Sequence, residues 1–165
     1  MSGVDVHEAT PAERAAAGAV TEAAYAEFAS GFEPGEWAAY AQTLPDTRLR
    51  VQQGLLLVAV ERGTVVATVT LYLEPQPTSG HWRPDDAIIR FLAVSADHRR
   101  RGIGKLLVAE CADRARKAGK RRLALQTTPN MRAAQQMYLQ LGFERDESGD
   151  MVAGSFTLLA YARRL

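Results

Sequence analysis

Between His98 and Leu107 the chain reads HRRRGIGKLL: Arg99, Arg100, Arg101 and Lys105 surround two glycines, and aliphatic residues follow at once. Glycines let a ligand approach the main chain. The first turn of a helix offers N–H groups with no intrahelical acceptor, and its dipole adds partial positive charge. Together these features predict an anion site whose ligand is a phosphate or pyrophosphate. The arginines would give forked donors to the same oxygens, and Lys105 a mobile point charge. Two nucleotide loops are excluded by single residues. Leu106 follows Lys105 where a Walker A loop needs Ser or Thr, and Leu107 stands where the dinucleotide fingerprint needs its third glycine.

A second residue with chemical capacity is Tyr138. Ala134, Tyr138 and Leu141 are spaced by four and three, so they share the inward face of a predicted helix. A phenol of ordinary pKa, about 10, is protonated at neutral pH and able to act as a general acid. Cys111, mid-helix on an apolar face, reads as core rather than as a nucleophile. Tyr25, Phe28, Phe32, Trp37 and Tyr40 are available on the N-terminal segment, where such spacings serve a core more often than a recognition site.

The elements that must position these residues follow from periodicity. Val4 and Val6 alternate with polar neighbours, a short strand. TPAERAAAGAVTEAAYAEFA then predicts a helix with Thr10 as N-cap, Pro11 at its first position and Glu13 closing a capping box. Its apolar face is either Ala16, Val20, Ala24 and Phe28, or Ala17, Ala24 and Phe28 beside Tyr25. EWAAYAQTL is a second helix, stopped before Pro45. Two strands, 55–60 and 64–73, turn at Arg62 and Gly63, and 87–94 is a third. The loop PQPTSGHWRPD between them carries His81 and Trp82.

After the glycines, Ile103, Leu107, Cys111, Ala115 and Ala118 recur at helical spacing, giving a helix over 104–118 ended by Gly119. RRLALQT is a strand. PNMRAAQQMYLQLGF is a helix with Asn130 as N-cap and Gly142 beyond its end, and SFTLLAYARR is the last strand. With no repeat or linker, 165 residues predict a single α+β domain over 1–165.

Composition narrows the class. The chain is 47% hydrophobic and 24% charged with net charge +1, so basic features are local and nucleic acid is not an expected partner. One cysteine excludes an intramolecular disulfide and a multi-thiolate zinc site, and no metal is expected. The N-terminus has neither the basic nor the apolar region of a signal peptide, and no apolar run approaches the roughly 18 residues of a membrane span. A cytoplasmic protein without a membrane partner is the expectation.

HRRRGIG resembles the acetyl-coenzyme A loop of the GCN5-related N-acetyltransferases, the GNAT family. Its pattern, Gln or Arg, two of any kind, Gly, any, Gly or Ala, is met by Arg99, Arg100, Arg101, Gly102, Ile103 and Gly104. Leu92 to Val94 before it, and NMRAAQQMYLQLGF after it, resemble the family's flanking strand and its second motif. The resemblance covers the whole chain in element order and is sharpest from Ile88 to Phe143.

It implies the GNAT fold, a central mixed, mostly antiparallel sheet flanked by helices. It also implies transfer of an acetyl group from acetyl-coenzyme A directly to a primary amine of a small-molecule or peptide acceptor. Leu92 and Val94 would give main-chain contacts to the pantetheine arm, and amides from about Arg100 to Lys105 would hold the pyrophosphate. Asn130 would orient the pantetheine end, and Tyr138 would protonate the departing thiolate. Dimers are frequent in this family. The histone-acetylating branch carries a glutamate at the position of Ile88, so its base has no counterpart here. Asp86, His81 and Glu74 are the nearest substitutes, each more readily structural. Arg90 would bind a substrate carboxylate or pair with an acidic neighbour. A non-catalytic acetyl-coenzyme A-binding domain of the same fold is the alternative.

Overall fold

The structure is a computed structural model that describes residues 3–75, 81–154 and 156–165. Its strands are β1 (Val4–Glu8), β2 (Leu55–Glu61), β3 (Thr64–Tyr72), β4 (Asp86–Val94), β5 (Arg122–Thr127), β6 (Glu144–Arg145), β7 (Met151–Ala153) and β8 (Phe156–Arg164). Its helices are α1 (Arg14–Ala26), α2 (Pro34–Ala41), α3 (Arg48–Gln53), α4 (Ile103–Lys117) and α5 (Arg132–Gln140). Hydrogen bonding orders the strands β1-β2-β3-β4-β5-β8-β6, with β7 on β8. The β4/β5 pair is parallel, whereas β1/β2, β2/β3, β5/β8, β6/β8 and β7/β8 are antiparallel. The expected mixed, mostly antiparallel sheet is therefore present. Among the described residues no helix is long and apolar enough to cross a membrane.

The chain forms two compact units, residues 1–71 with 91–110, and residues 72–90 with 111–165. In the first, β2 and β3 turn at Arg62 and Gly63, both at positive φ (51° and 78°), the type I′ geometry whose twist suits a hairpin. Ala17, Leu56, Val58 and Val65 form its core cluster, joined by Ala9, Val20, Val51 and Val60. The buried face of α1 combines the two sets open to it, with Ala17 and Ala24 buried, Val20 packed on the cluster and Ala16 exposed. Gly18 lies so near the 44–46 turn that a Cβ would stand 2.1 Å from the Pro45 carbonyl oxygen. The predicted capping box is in place at Thr10, whose N–H donates to Glu13 at 2.9 Å. A 3-10 turn, Pro11–Glu13, precedes the α-helix proper.

In the second unit Tyr72, Ile88 and Ala124 form a cluster with Trp82 and Ala162. Asp86, fully buried, accepts from Arg122 through both oxygens (2.7 and 3.0 Å) and from the Arg83 N–H (2.9 Å). Arg122 also donates to Asp146 at 3.1 Å, so three side chains fix β4, β5 and the segment after β6. Gly119, φ 77°, ends α4 as expected, and Lys120 N–H closes back on the Ala115 carbonyl. Ala118, expected on the apolar face, is exposed because the helix stops at Lys117.

Candidate functional site

The anion loop lies in the first unit. β4 ends at Val94, and a 3-10 turn, Ala96–His98, leads to Arg99 in an extended conformation. Arg100 (φ 60°) and Gly102 (φ 77°) both adopt left-handed backbone, and α4 starts at Ile103. The Gly102 carbonyl accepts the first helical bond, from Leu106 at 3.1 Å. The N–H groups of Ile103, Gly104 and Lys105 consequently have no intrahelical acceptor and stand at the positive end of a fifteen-residue helix. These are the backbone groups that the sequence assigns to an anion.

The arginine side chains depart from expectation. Arg99 pairs with Glu27 at 2.8 Å, and Arg101 takes Glu61 in a fork, at 2.5 and 3.1 Å. Only Arg100 and Lys105 of the four cations lack a carboxylate among the ion pairs of the described residues, and both are exposed. The difference is tertiary in origin. Glu27 and Glu61 lie 72 and 40 residues from their partners, beyond any local pattern.

The strand that feeds the loop leaves the extended conformation at one residue. Phe91 holds φ 57°, a conformation unusual for a bulky residue within a strand. Its ring is gripped on unit-internal neighbours, the Arg50 guanidinium 4.0 Å from its centroid and Tyr25 at 6.4 Å. Arg50, 3% exposed, donates in turn to the carbonyls of Leu44 (2.7 Å) and Thr43 (3.1 Å). The parallel β4/β5 register covers Asp86–Ile88 against Arg122–Ala124, after which β4 runs on to Val94 and β5 to Thr127. Leu92 and Val94 thus lie in the last three residues of β4, after Phe91. Tyr25, Phe28, Phe32, Trp37 and Tyr40 form a continuous half-buried set of rings, with centroids 5.4 to 6.4 Å apart.

In the second unit β5 ends at Thr127, whose hydroxyl is buried without a hydrogen-bond partner among the described residues. Such an orphan suits a site whose ligand brings the missing partner. Asn130 does not cap α5. Met131 occupies that place and makes no side-chain cap bond. Asn130 Oδ1 instead accepts from Thr128 Oγ1 at 2.5 Å, and Gln135 Nε2 donates to the carbonyls of Thr128 (3.0 Å) and Pro129 (3.2 Å). These bonds shape the turn that carries Asn130, which is exposed.

Tyr138 is buried, with Ala134 and Leu141 half-buried on the same face, as their spacing predicts. Its ring meets Phe143 edge-on at 5.7 Å and Tyr161 at 6.4 Å. Its pKa is not ordinary. Burial pushes it well above the usual phenol value, and the nearby Cys111 thiol adds to the effect. Cys111 is fully buried, in keeping with a core thiol.

Of the residues near Ile88, Asp86 is held by Arg122, and Glu74 pairs with Lys120 at 3.1 Å. His81 and Arg90 are exposed, and Ile88 itself is buried in an apolar cluster. Sequence reasoning passed over Glu27, Arg50, Glu61, Phe91 and His98. A glutamate directly before the Arg62–Gly63 turn carries no local sign of what it will bind.

A mixed, mostly antiparallel sheet flanked by helices is the fold of the acetyltransferase structures that this chain is similar to. The chain belongs to the Acetyltransferase (GNAT) family, whose sequence profile matches residues 20–143. Solved structures share the fold at low identity. The PaiA N-acetyltransferase from Thermoplasma acidophilum, in complex with coenzyme A, matches with TM-score 0.78 at 15% identity over 100% of both chains. A GNAT family acetyltransferase from Elizabethkingia anophelis, with acetyl-CoA bound, gives 0.66 at 14% over 100% of both. One from Staphylococcus aureus gives 0.72 at 14%, over 98% of this chain and 99% of the other. No curated protein matches the sequence significantly.

Proposed function

We propose that residues 1–165 act as an acetyl-coenzyme A-dependent N-acetyltransferase that moves the acetyl group directly to a primary amine. The observation that carries this reading is the loop in which Arg100 and Gly102 take left-handed backbone and lead into the free amides of α4. In this reading the amides from Arg100 to Lys105, Gly102, Ile103 and Gly104 among them, bind the pyrophosphate. Arg99 and Arg101 shape the loop through their carboxylates, while Arg100 and Lys105 supply charge to the ligand. Main-chain groups of Leu92 and Val94 take the pantetheine arm, and Asn130 orients its end.

The neutral amine attacks the thioester carbon and forms the C–N bond, the C–S bond breaks, the sulfur leaves as a thiolate, and the proton shed by the nitrogen passes through water to balance the thiol formed. Tyr138 donates its O–H towards that sulfur. With its pKa raised by burial, the phenol arrives protonated and is a weaker acid than an exposed one. Its contribution is then chiefly a hydrogen bond to the developing charge. No covalent intermediate is needed, in accord with Cys111 being buried. Replacing Tyr138 with Phe is expected to lower kcat about 10- to 100-fold while the dissociation constant of acetyl-coenzyme A stays within twofold, roughly the loss of one charge-stabilising donor. An unchanged kcat would remove Tyr138 from the mechanism.

A second reading is a non-catalytic acetyl-coenzyme A-binding domain. It is favoured by two of the positions considered for a base being taken, Ile88 lying in apolar packing and Asp86 being held by Arg122. Tight binding of acetyl-coenzyme A with no acetylation of any amine in a broad screen would select it.

A further inference from the structure

One carboxylate fastens the anion loop at two points. Glu61, the last residue of β2, accepts from Arg101 at 2.5 and 3.1 Å and lies 3.3 Å from His98 Nε2. The other ring nitrogen of His98 is bonded to Ser95 Oγ at 2.7 Å, and the Ser95 N–H donates to the Val66 carbonyl on β3 at 2.8 Å. The bonds run from β3 through Ser95, His98 and Glu61 to Arg101, all inside the first unit. They bracket Arg100, a residue with a side chain held in the left-handed region that L-residues disfavour.

A free carboxylate beside an anion site would oppose the ligand. Glu61 is instead shared by two cationic or donor groups, and Arg101 in particular holds its pKa below the usual range. Its effect on the loop is therefore one of geometry.

We propose that Glu61 and His98 are positioning residues that hold the loop from Ser95 to Gly102 in its diphosphate-binding form before the ligand arrives. This rests on the reading of the loop as a diphosphate site. Preorganisation of this kind lowers the ordering cost of binding, so affinity for coenzyme A depends on the pair. The sulfur end, served by other residues, does not.

The test uses the whole chain and needs no acceptor. Coenzyme A is titrated calorimetrically into the natural protein and into Glu61→Ala, His98→Ala and His98→Gln, and amide hydrogen exchange is followed without ligand. Glu61→Ala is expected to weaken coenzyme A binding about tenfold, a loss set by two charge-assisted contacts at a half-exposed site. Exchange over residues 96–105 should quicken while residues 132–140 keep their protection. His98→Gln, which keeps a side-chain N–H donor, should recover part of what His98→Ala loses. Replacing both residues together should cost less than the sum of the two single losses, because they share the contact between Glu61 and His98 Nε2. If the natural protein binds and Glu61→Ala binds equally well with unaltered exchange, the clamp has no such role. Faster exchange in both regions would make Glu61 a general stability residue and overturn the proposal. A natural protein that ignores coenzyme A would instead overturn the diphosphate reading itself, and this inference with it.

Discussion

Arg100 and Gly102 take the same left-handed backbone for different reasons. Glycine adopts φ 77° freely, whereas Arg100 at 60° is held there by its surroundings. The glycine spacing was legible in the sequence because the helix that follows needs an N-terminus the ligand can reach. The fate of the arginines was not, since the carboxylates that take Arg99 and Arg101 arrive from the residue that caps the end of α1 and from the end of β2. Gly18 shows the same limit. Nothing local distinguishes it from the alanines around it, yet only a residue without a Cβ fits against the Pro45 carbonyl. Gly18→Ala is expected to destabilise the protein by about 1–3 kcal/mol, the range for forcing an added methyl into a packed site. A chemical denaturation curve checks this. A midpoint equal to that of the natural protein would mean that the 44–46 turn yields without cost.

At the scale of elements, strong periodicity was read well and short or capped segments less so. The helices around 14–26 and 103–117 and the hairpin at Arg62 and Gly63 lie where their patterns put them. α3 was missed because RLRVQQ has six residues and no side-chain cap, leaving only tertiary packing to define it. β6 and β7, of two and three residues, are similarly products of the β8 they pair with. Asn130 looked like an N-cap, but Thr128 takes its side-chain oxygen first.

The β1–α1 junction has a pH dependence that belongs to this scale. His7 donates to Glu13 (3.1 Å) and Asp5 (2.9 Å), and the Glu13 bond chiefly raises its pKa above the ordinary 6.5. Its contribution is complete below that value and is lost as the pH rises through the higher folded-state pKa. Glu13, lowered chiefly by the Thr10 N–H, contributes above its ordinary 4.5 and loses its effect as the pH falls through the lower folded value. The junction is therefore tightest between these limits. Thermal melts at pH 6 and pH 8.5 should show the natural protein losing more stability than His7→Gln, by less than about 1 kcal/mol for a partly exposed pair. Equal losses would remove His7 from the balance.

At the scale of the whole molecule, the sequence profile over residues 20–143 places the chain in its family, and the structure adds what holds each part of the candidate site. In the first unit, the Phe91 ring under Arg50 and the Glu61 clamp act on consecutive stretches of one chain segment, Phe91 to Gly102. In the second, the Asp86–Arg122–Asp146 set and the Gln135 bonds fix β5 and the approach to α5. Neither set was legible in advance, because each joins residues whose proximity only the fold creates.

The measurement that bears most directly on the account is calorimetric titration of acetyl-coenzyme A into the natural protein and into Gly102→Val. No atom lies within 4 Å of a Cβ built at Gly102, so the replacement acts through the φ of 77° that valine resists. The account predicts binding at about micromolar affinity for the natural protein and a loss of about tenfold or more for a variant that remains folded, since the amides would lose their alignment. Equal affinity in the two proteins, or no binding by the natural one, would contradict the assignment of this loop to the pyrophosphate.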